Sequence, residues 1–364
     1  MSSRLVVLQS FPKPKPPTNP FNILLVDSIA DQPDIEVRTF SRKFALFGRY
    51  DVFHVHWPEI FGEGRTAARR ALRQAFYLLF LGRIWLTNTP VVRTVHNLDL
   101  PQGISRSQRI LLRLTDRLTT LRIALNTSTP TRPDQAWETI LHGDYVGWFA
   151  DFPKSTSIPG RLAFVGRIRR YKGVDVLLGA FRQTALSRPD LTLHIAGYPS
   201  TPELGEMVRE AAQRDPRIHV QFGFITDEEV VREIGEAELV VLPYREMHNS
   251  GAALTALSLD RPVLVPDNVV NRRLADEVGS GWVHHYADDV TGGDLIRALD
   301  SLKRDRASGT PDLSARAWSI SGERHAAAYR RAVAVARQGR PCRGKRGESS
   351  GGAGGGGRSE RPSH

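Results

Sequence analysis

Cysteine is nearly absent: Cys342 is the only one in 364 residues. One thiol makes neither a disulfide framework nor a cysteine-based zinc site, so a reducing cytoplasm is the expected setting. Long apolar runs are missing too. The best candidate, AFYLLFLGRIWL from Ala75 to Leu86, is broken by Arg83 and falls short of the roughly 18–20 residues that span a bilayer. The opening MSSRLVVLQSFPKPKPP has too short an apolar stretch for a secretory leader. Glycine is lacking where a nicotinamide enzyme needs it. The first strand candidate, Arg4–Leu8, runs into QSFPKPKPPTNP instead of G-x-G-x-x-G.

What is present is base, unevenly placed. The net charge is +11; residues 1–150 hold 19 Lys/Arg against 12 Asp/Glu, residues 151–336 hold 24 against 25, and residues 337–364 hold 7 against 2. A basic first half beside a balanced second half suggests one side facing an anionic surface or substrate. A nucleic-acid-binding protein is one such reading, but no helix-turn-helix, zinc or RNA-stacking motif accompanies the charge.

Short β-branched runs alternate with helical patterns, which predicts parallel sheets of strand–helix–strand units. Strand candidates in the first half are Arg4–Leu8, Ile35–Phe40, Asp51–His56, Val91–His96 and Arg122–Asn126. Helices are expected near Pro20–Ile29, Arg65–Trp85 and Ser105–Thr120. In the second half, strands at Arg161–Gly166, Leu191–Gly197, His219–Phe222, Leu239–Pro243 and Pro262–Pro266 enclose helices near Gly173–Ser187, Pro202–Arg214, Asp227–Gly235 and Ser250–Leu259. The expected architecture is α/β, two Rossmann-like doubly wound domains facing a cleft. The first covers 1–150. A linker spans 151–160, the second domain 161–320, and a helix at 321–338 packs back across the domains. The glycine-rich basic tail, 339–364, is expected to be disordered.

Ligands in such folds lie at the carboxyl ends of the strands. FVGRIRRYKG ends a strand at Gly166 and places Arg167 and Lys172 around a strand-to-helix turn, where both can reach one diphosphate. LPYREMHNSGAAL ends a second strand and opens a helix whose N-terminal amides, at Ser250, Gly251 and Ala252, form an anion site. Solvated loop bases and an ordinary capped helix are the competing readings of each alone. In the first domain, DVFHVHWPE delivers His56, Trp57 and Glu59 to the cleft, where a buried carboxylate can deprotonate a sugar hydroxyl. His54 and His56 are equally readable as core histidines. VVRTVHN ends in His96 and Asn97 at the cleft mouth, where they can bind sugar hydroxyls or simply cap the following segment. Arg65, Arg69, Arg70 and Arg73, and the helical series Arg106, Arg109, Arg113 and Arg117, read as basic amphipathic helices that meet anionic lipid, or as solvated faces.

HVHWPE, TPVVRTVHNL, TILHGDYVGWFA, IPGRLAFVGRIRRYKG and MHNSGAALTALSLDRPVL together resemble glycosyltransferase family 94 of the GT-B superfamily, enzymes of xanthan-type polysaccharide assembly. The likeness runs from about Pro14 to about Tyr329. It implies GDP-mannose as donor, a polyprenyl-diphosphate-linked saccharide as acceptor and a β-linked product, hence inversion. It also implies a peripheral enzyme on the inner face of the cell membrane, with no cofactor or metal if the cations stabilise the leaving diphosphate. Glu59, with His56 nearby, is then the base, with His96 or Asp99 next in line; Gly166, Glu246, His248 and Asn249 surround the donor. The chain departs from retaining GT-B enzymes, whose two glutamates have seven residues between them. Met247 and Thr255 occupy those places, which disfavours a retaining hexosyltransferase and leaves the ribose without its usual carboxylate.

Overall fold

The computed structural model describes residues 4–15, 19–64, 66–98, 104–304 and 309–338. Arg65, Asp99 and the tail expected to be disordered lie outside the described residues.

The first sheet comprises β1 (Leu5–Gln9), β2 (Ile35–Arg38), β3 (Val52–Val55), β4 (Val91–Val95), β5 (Thr119–Ala124) and β6 (Ala136–Thr139). Helices α1 (Pro20–Ala30), α2 (Arg42–Phe47), α3 (Ala67–Thr87) and α4 (Arg106–Leu118) connect its strands, and α5 (Val146–Phe149) follows it. The second sheet holds β7 (Arg161–Val165), β8 (Thr192–Gly197), β9 (Ile218–Phe222), β10 (Leu239–Val241), β11 (Val263–Pro266) and β12 (Val283–Tyr286). Its helices are α6 (Val174–Gln183), α7 (Pro202–Arg214), α8 (Asp227–Gly235), α9 (Gly251–Ser258), α10 (Val269–Val278) and α11 (Gly292–Arg304), and α12 (Trp318–Gln338) closes the described chain. Strand orders are β2-β1-β3-β4-β5-β6 and β12-β11-β10-β7-β8-β9, with parallel pairing throughout.

The sequence forms these elements for local reasons. Parallel strands are covered on both faces and so read as continuous apolar runs; all five residues of β7, RLAFV, are buried. Thr201 caps α7 with Pro202 at its first position, and Thr226 with Glu229 forms a reciprocal capping box for α8. Both helices run over the residues the sequence predicts. The end of α4 differs: Thr119 and Thr120 leave the helix and begin β5, because β-branched side chains fit a pleated sheet better than a helix end. The segment after α5 is irregular yet anchored, with Ile158 N–H donating to the Glu236 carbonyl at 2.8 Å and Arg261 to the Ser155 carbonyl at 2.7 Å.

The first sheet is a three-layer sandwich. Phe53, Val55 and Val91 meet Tyr77, Phe80 and Leu111 of α3 and α4 on one face. Val7, Val92 and Leu121 meet Phe21 and Leu25 of α1 and Ala326 and Tyr329 of α12 on the other. The last helix thus lies along α1, with Arg330 forked onto Asp34 through two 2.8 Å bonds.

Candidate active site

In each sheet the strand order turns back at one place, between β1 and β3 and between β7 and β10. The crevice beyond the carboxyl ends of such strands is where open α/β sheets take ligands. Residues after β7 and β10 are the two segments singled out from the sequence as the donor cradle, and those after β3 and β4 include His56, Trp57, Glu59, His96 and Asn97.

The two donor segments are joined to each other. Gly173 has φ +63°, and a Cβ there would fall 1.9 Å from the Pro243 carbonyl oxygen, so only glycine lets the turn touch the end of β10. The Arg245 N–H donates to the Tyr171 carbonyl at 3.1 Å, and its guanidinium to Asp175 at 2.8 Å. Lys172 folds over Gly166, whose missing side chain leaves 3.4 Å between the Cβ position and Nζ, and its ammonium lies 4.9 Å from the Tyr244 ring. Burial lowers the Lys172 pKa, and the like charges of Arg169 and Arg167 lower it further. Burial raises the Tyr244 phenol, and the Ser250 side chain close by offsets part of that. Lys172 and Ser250 therefore flank one tyrosine. Ser250 caps α9 by accepting from the Ala253 N–H at 3.2 Å, which leaves the amides of Gly251 and Ala252 at the helix mouth. Arg167 and Glu246 are exposed on the same loops. Thr255 donates its hydroxyl to the Gly251 carbonyl at 2.8 Å, a bond within the helix.

Across the crevice, a line of hydrogen bonds sets the first-domain histidines. Tyr329 Oη lies 2.8 Å from His54 Nδ1, and His54 Nε2 lies 2.8 Å from Thr94 Oγ1. The Gln9 amide donates to Tyr329 Oη at 3.3 Å, leaving its carbonyl for His56 Nε2, also at 3.3 Å. His56 Nε2 must then carry the proton, so Nδ1 is the acceptor and His96 Nε2, 3.2 Å away, the donor. This assignment leaves the lone pair of His96 on Nδ1. Trp57 stacks on the His96 ring at 4.2 Å and 19°. Burial holds all these imidazoles neutral: His54 and His56 lie well below the usual range, His96 falls to about 3 and His142 to about 4.

Glu59 lies elsewhere. It opens the 3-10 helix Pro58–Gly62, and the charges that act on it are those of Arg93, on the α3–α4 face of the sheet, and Glu63. His56 lies on the opposite, α1–α12 face, so the two residues paired as base and helper are divided by the sheet. Burial raises the Glu59 pKa, partly offset by its own backbone N–H and by Arg93.

The donor loop also reaches the first domain, through residues the sequence reading did not select. Asn126 donates to the His248 carbonyl at 3.1 Å and to Asn249 Oδ1 at 2.8 Å, and Asn249 donates to the His96 carbonyl at 2.9 Å. Thr129 Oγ1 lies 3.0 Å from His248 Nε2. A Cβ at Gly251 would stand 3.3 Å from Tyr145 Oη and 3.9 Å from His142 Nε2, so both reach the mouth of α9. The rule that selected His56 and His96, a polar residue just past a strand, applies equally to Asn126 and His142. A cavity of about 370 Å³ opens here, lined by Asn126, Ser128, His142, His248, Asn249 and Ser250 among others. Arg273, Glu277 and Arg316 line it too. Lys172, Arg167 and Glu59 do not line it.

The family described as glycosyl transferases group 1 matches residues 159–302. A GDP-mannose:glycolipid 4-β-D-mannosyltransferase of Xanthomonas campestris pv. campestris is 42% identical over 330 residues, covering 91% of this chain and 93% of that protein. An α-D-kanosaminyltransferase of Streptomyces kanamyceticus is 30% identical over 173 residues, 46% of this chain. Among solved structures, Anabaena HepE in complex with UDP-glucose shares the fold, with a TM-score of 0.58 at 14% identity over 92% of this chain and 98% of that one.

Proposed function

The chain belongs to the GDP-mannose:glycolipid 4-β-D-mannosyltransferase family, and from that membership we propose that it moves mannose from GDP-mannose to a polyprenyl-diphosphate-linked oligosaccharide with inversion. The supporting observation is the convergence of Lys172, Ser250 and the α9 mouth around Tyr244, facing the first-domain histidines through the Asn249–His96 bond.

Arg167, Lys172 and the Gly251 and Ala252 amides take the departing diphosphate. The mannosyl ring occupies the cavity beside His248 and Asn249, and the acceptor lies along Trp57, His96 and Asn97. The acceptor oxygen bonds to the anomeric carbon from the face opposite the diphosphate, the carbon–phosphate oxygen bond breaks, and the hydroxyl proton passes to Glu59, which lies two residues beyond Trp57 on the other side of the sheet and is reached round the end of β3. A carboxylate of raised pKa is a stronger base than a solvated one. With cations and amides on the leaving group, the reaction needs no metal. The enzyme works at the inner face of a membrane, its basic helices toward anionic lipid.

Purified protein in a chelating buffer is given GDP-mannose or UDP-sugars, and nucleotide release and product configuration are followed. β-Linked mannose from GDP-mannose is expected; turnover with a UDP-sugar alone overturns the donor assignment. Glu59→Gln should cut turnover at least about a hundredfold with GDP affinity near wild type. In the wild type, activity should fall as pH drops through a pKa above the ordinary glutamate value. A fully active Glu59→Gln enzyme moves the base to His96.

A further inference from the structure

Helix α3 has two apolar faces, and only one is used by the fold. Tyr77, Phe80, Leu81 and Ile84 pack on the sheet. Leu72, Leu79 and Leu86 recur every seven residues on the other face, with Leu78 and Trp85 beside them, which aligns them along one side. These five are between 53% and 76% exposed. The stripe from Leu72 to Leu86 is about 21 Å long at 1.5 Å per residue. Scattered exposed leucines are ordinary, but an aligned set on one helix marks a contact surface.

The charge around the stripe selects its occupant. Helices α2, α3 and α4, which pack side by side, carry ten Arg and Lys and a single acid, Asp116. Asp116 is engaged by Arg93 and Arg122. Arg69, Arg70, Arg109 and Arg113 are exposed and have no acidic partner among the described residues. A second copy docked on this face by two-fold symmetry would bring the exposed arginines of both copies together without acids to pair them. A neutral protein partner leaves them unmatched. An anionic bilayer meets both requirements, because the acyl region takes the leucines and Trp85 while lipid phosphates take the arginines. No helix among the described residues is long and apolar enough to cross a membrane, so α3 lies in the interface.

We propose that α3 is a membrane wedge: it lies in the plane of an anionic bilayer with Leu72, Leu78, Leu79, Trp85 and Leu86 in the headgroup–acyl boundary and the α4 arginines on the phosphates. This placement rests on the lipid-linked acceptor proposed above, and it assigns the contact to an apolar stripe instead of to charge alone.

Full-length protein is floated with phosphatidylcholine vesicles, with and without about one third phosphatidylglycerol. Wild type should bind the anionic vesicles, and L79Q/W85Q/L86Q should bind at least about tenfold more weakly while binding GDP as wild type does. Brominated lipid should quench a fluorescence component that W85F lacks. Equal vesicle binding by the triple variant overturns the wedge. So does a wild-type dimer in sedimentation that the triple variant dissolves, which makes the face a self-interface. GDP binding and transfer to a short-chain soluble acceptor, measured on the same samples, report on the enzyme reading separately. Loss of vesicle binding with transfer intact refutes the wedge and not the activity, and the converse holds.

Discussion

A Lys172→Met enzyme is expected to transfer mannose roughly a thousandfold more slowly than wild type, which corresponds to about 4 kcal/mol of lost transition-state stabilisation. The side chain is half-buried, and its pKa is lowered first by burial and then by the guanidinium groups of Arg169 and Arg167. It is a cation held in an unfavourable place, and an incoming diphosphate removes that penalty. GDP affinity should therefore weaken as pH rises through the Lys172 pKa, which burial holds below the ordinary lysine value. The methionine variant should bind GDP weakly with no such slope. Lys172→Arg should rescue only in part, because a planar guanidinium does not reproduce the compact ammonium beside the Tyr244 ring. Titration calorimetry with GDP across pH, beside steady-state rates, decides the matter. Transfer within threefold of wild type would remove Lys172 from the diphosphate site.

Mild acid should unfold the protein. His54, His56, His96, His142 and His325 are all kept neutral by burial, with His325 falling to about 4 and His96 to about 3. Their folded pKa values lie below the unfolded value of about 6.5, so the unfolded chain binds more protons. Their contribution is complete above that value, falls as pH drops through it, and levels off only near the folded values. Each histidine costs at most about 1.4 kcal/mol per pH unit, so five cost roughly 6 kcal/mol between pH 7 and 5.5. That is a large share of the 5–15 kcal/mol typical of a folded domain. Thermal melts should show a steep loss of Tm over that interval. An unchanged Tm would mean that the imidazoles take up protons in the folded state.

Most of the fold is legible because its signals are local. Pro202 after Thr201 and the Thr226–Glu229 pair fix two helix starts within four residues of sequence. The omitted strands, β6 and β12, are edges: AWET is half-buried at every position and VHHY has histidines at its centre, so neither shows a strand's apolar run. At the site, the strand-end rule finds His56, His96 and the α9 mouth. It does not find that Asn126 holds His248, 122 residues away, or that Gln9 sets His56 through Tyr329, because pairing at that distance leaves no mark on composition or spacing. The division of Glu59 from His56 has the same origin. Strand alternation extends to His56, but the turn at Pro58 resets the direction, and only tertiary packing beside Arg93 decides where the carboxylate goes.

The use of α12 as the outer layer of the first sheet has a consequence for biosynthesis. The second sheet and its helices come from one uninterrupted stretch, β7 to α11, and can collapse as soon as that stretch leaves the ribosome. The first sheet, although translated earlier, has the face of Val7, Val92 and Leu121 covered only in part, by α1, until Tyr329 and Ala332 emerge. The half made first is thus completed last, and a nascent chain stalled before Trp318 should display a protease-sensitive amino-terminal half beside a resistant carboxyl-terminal one.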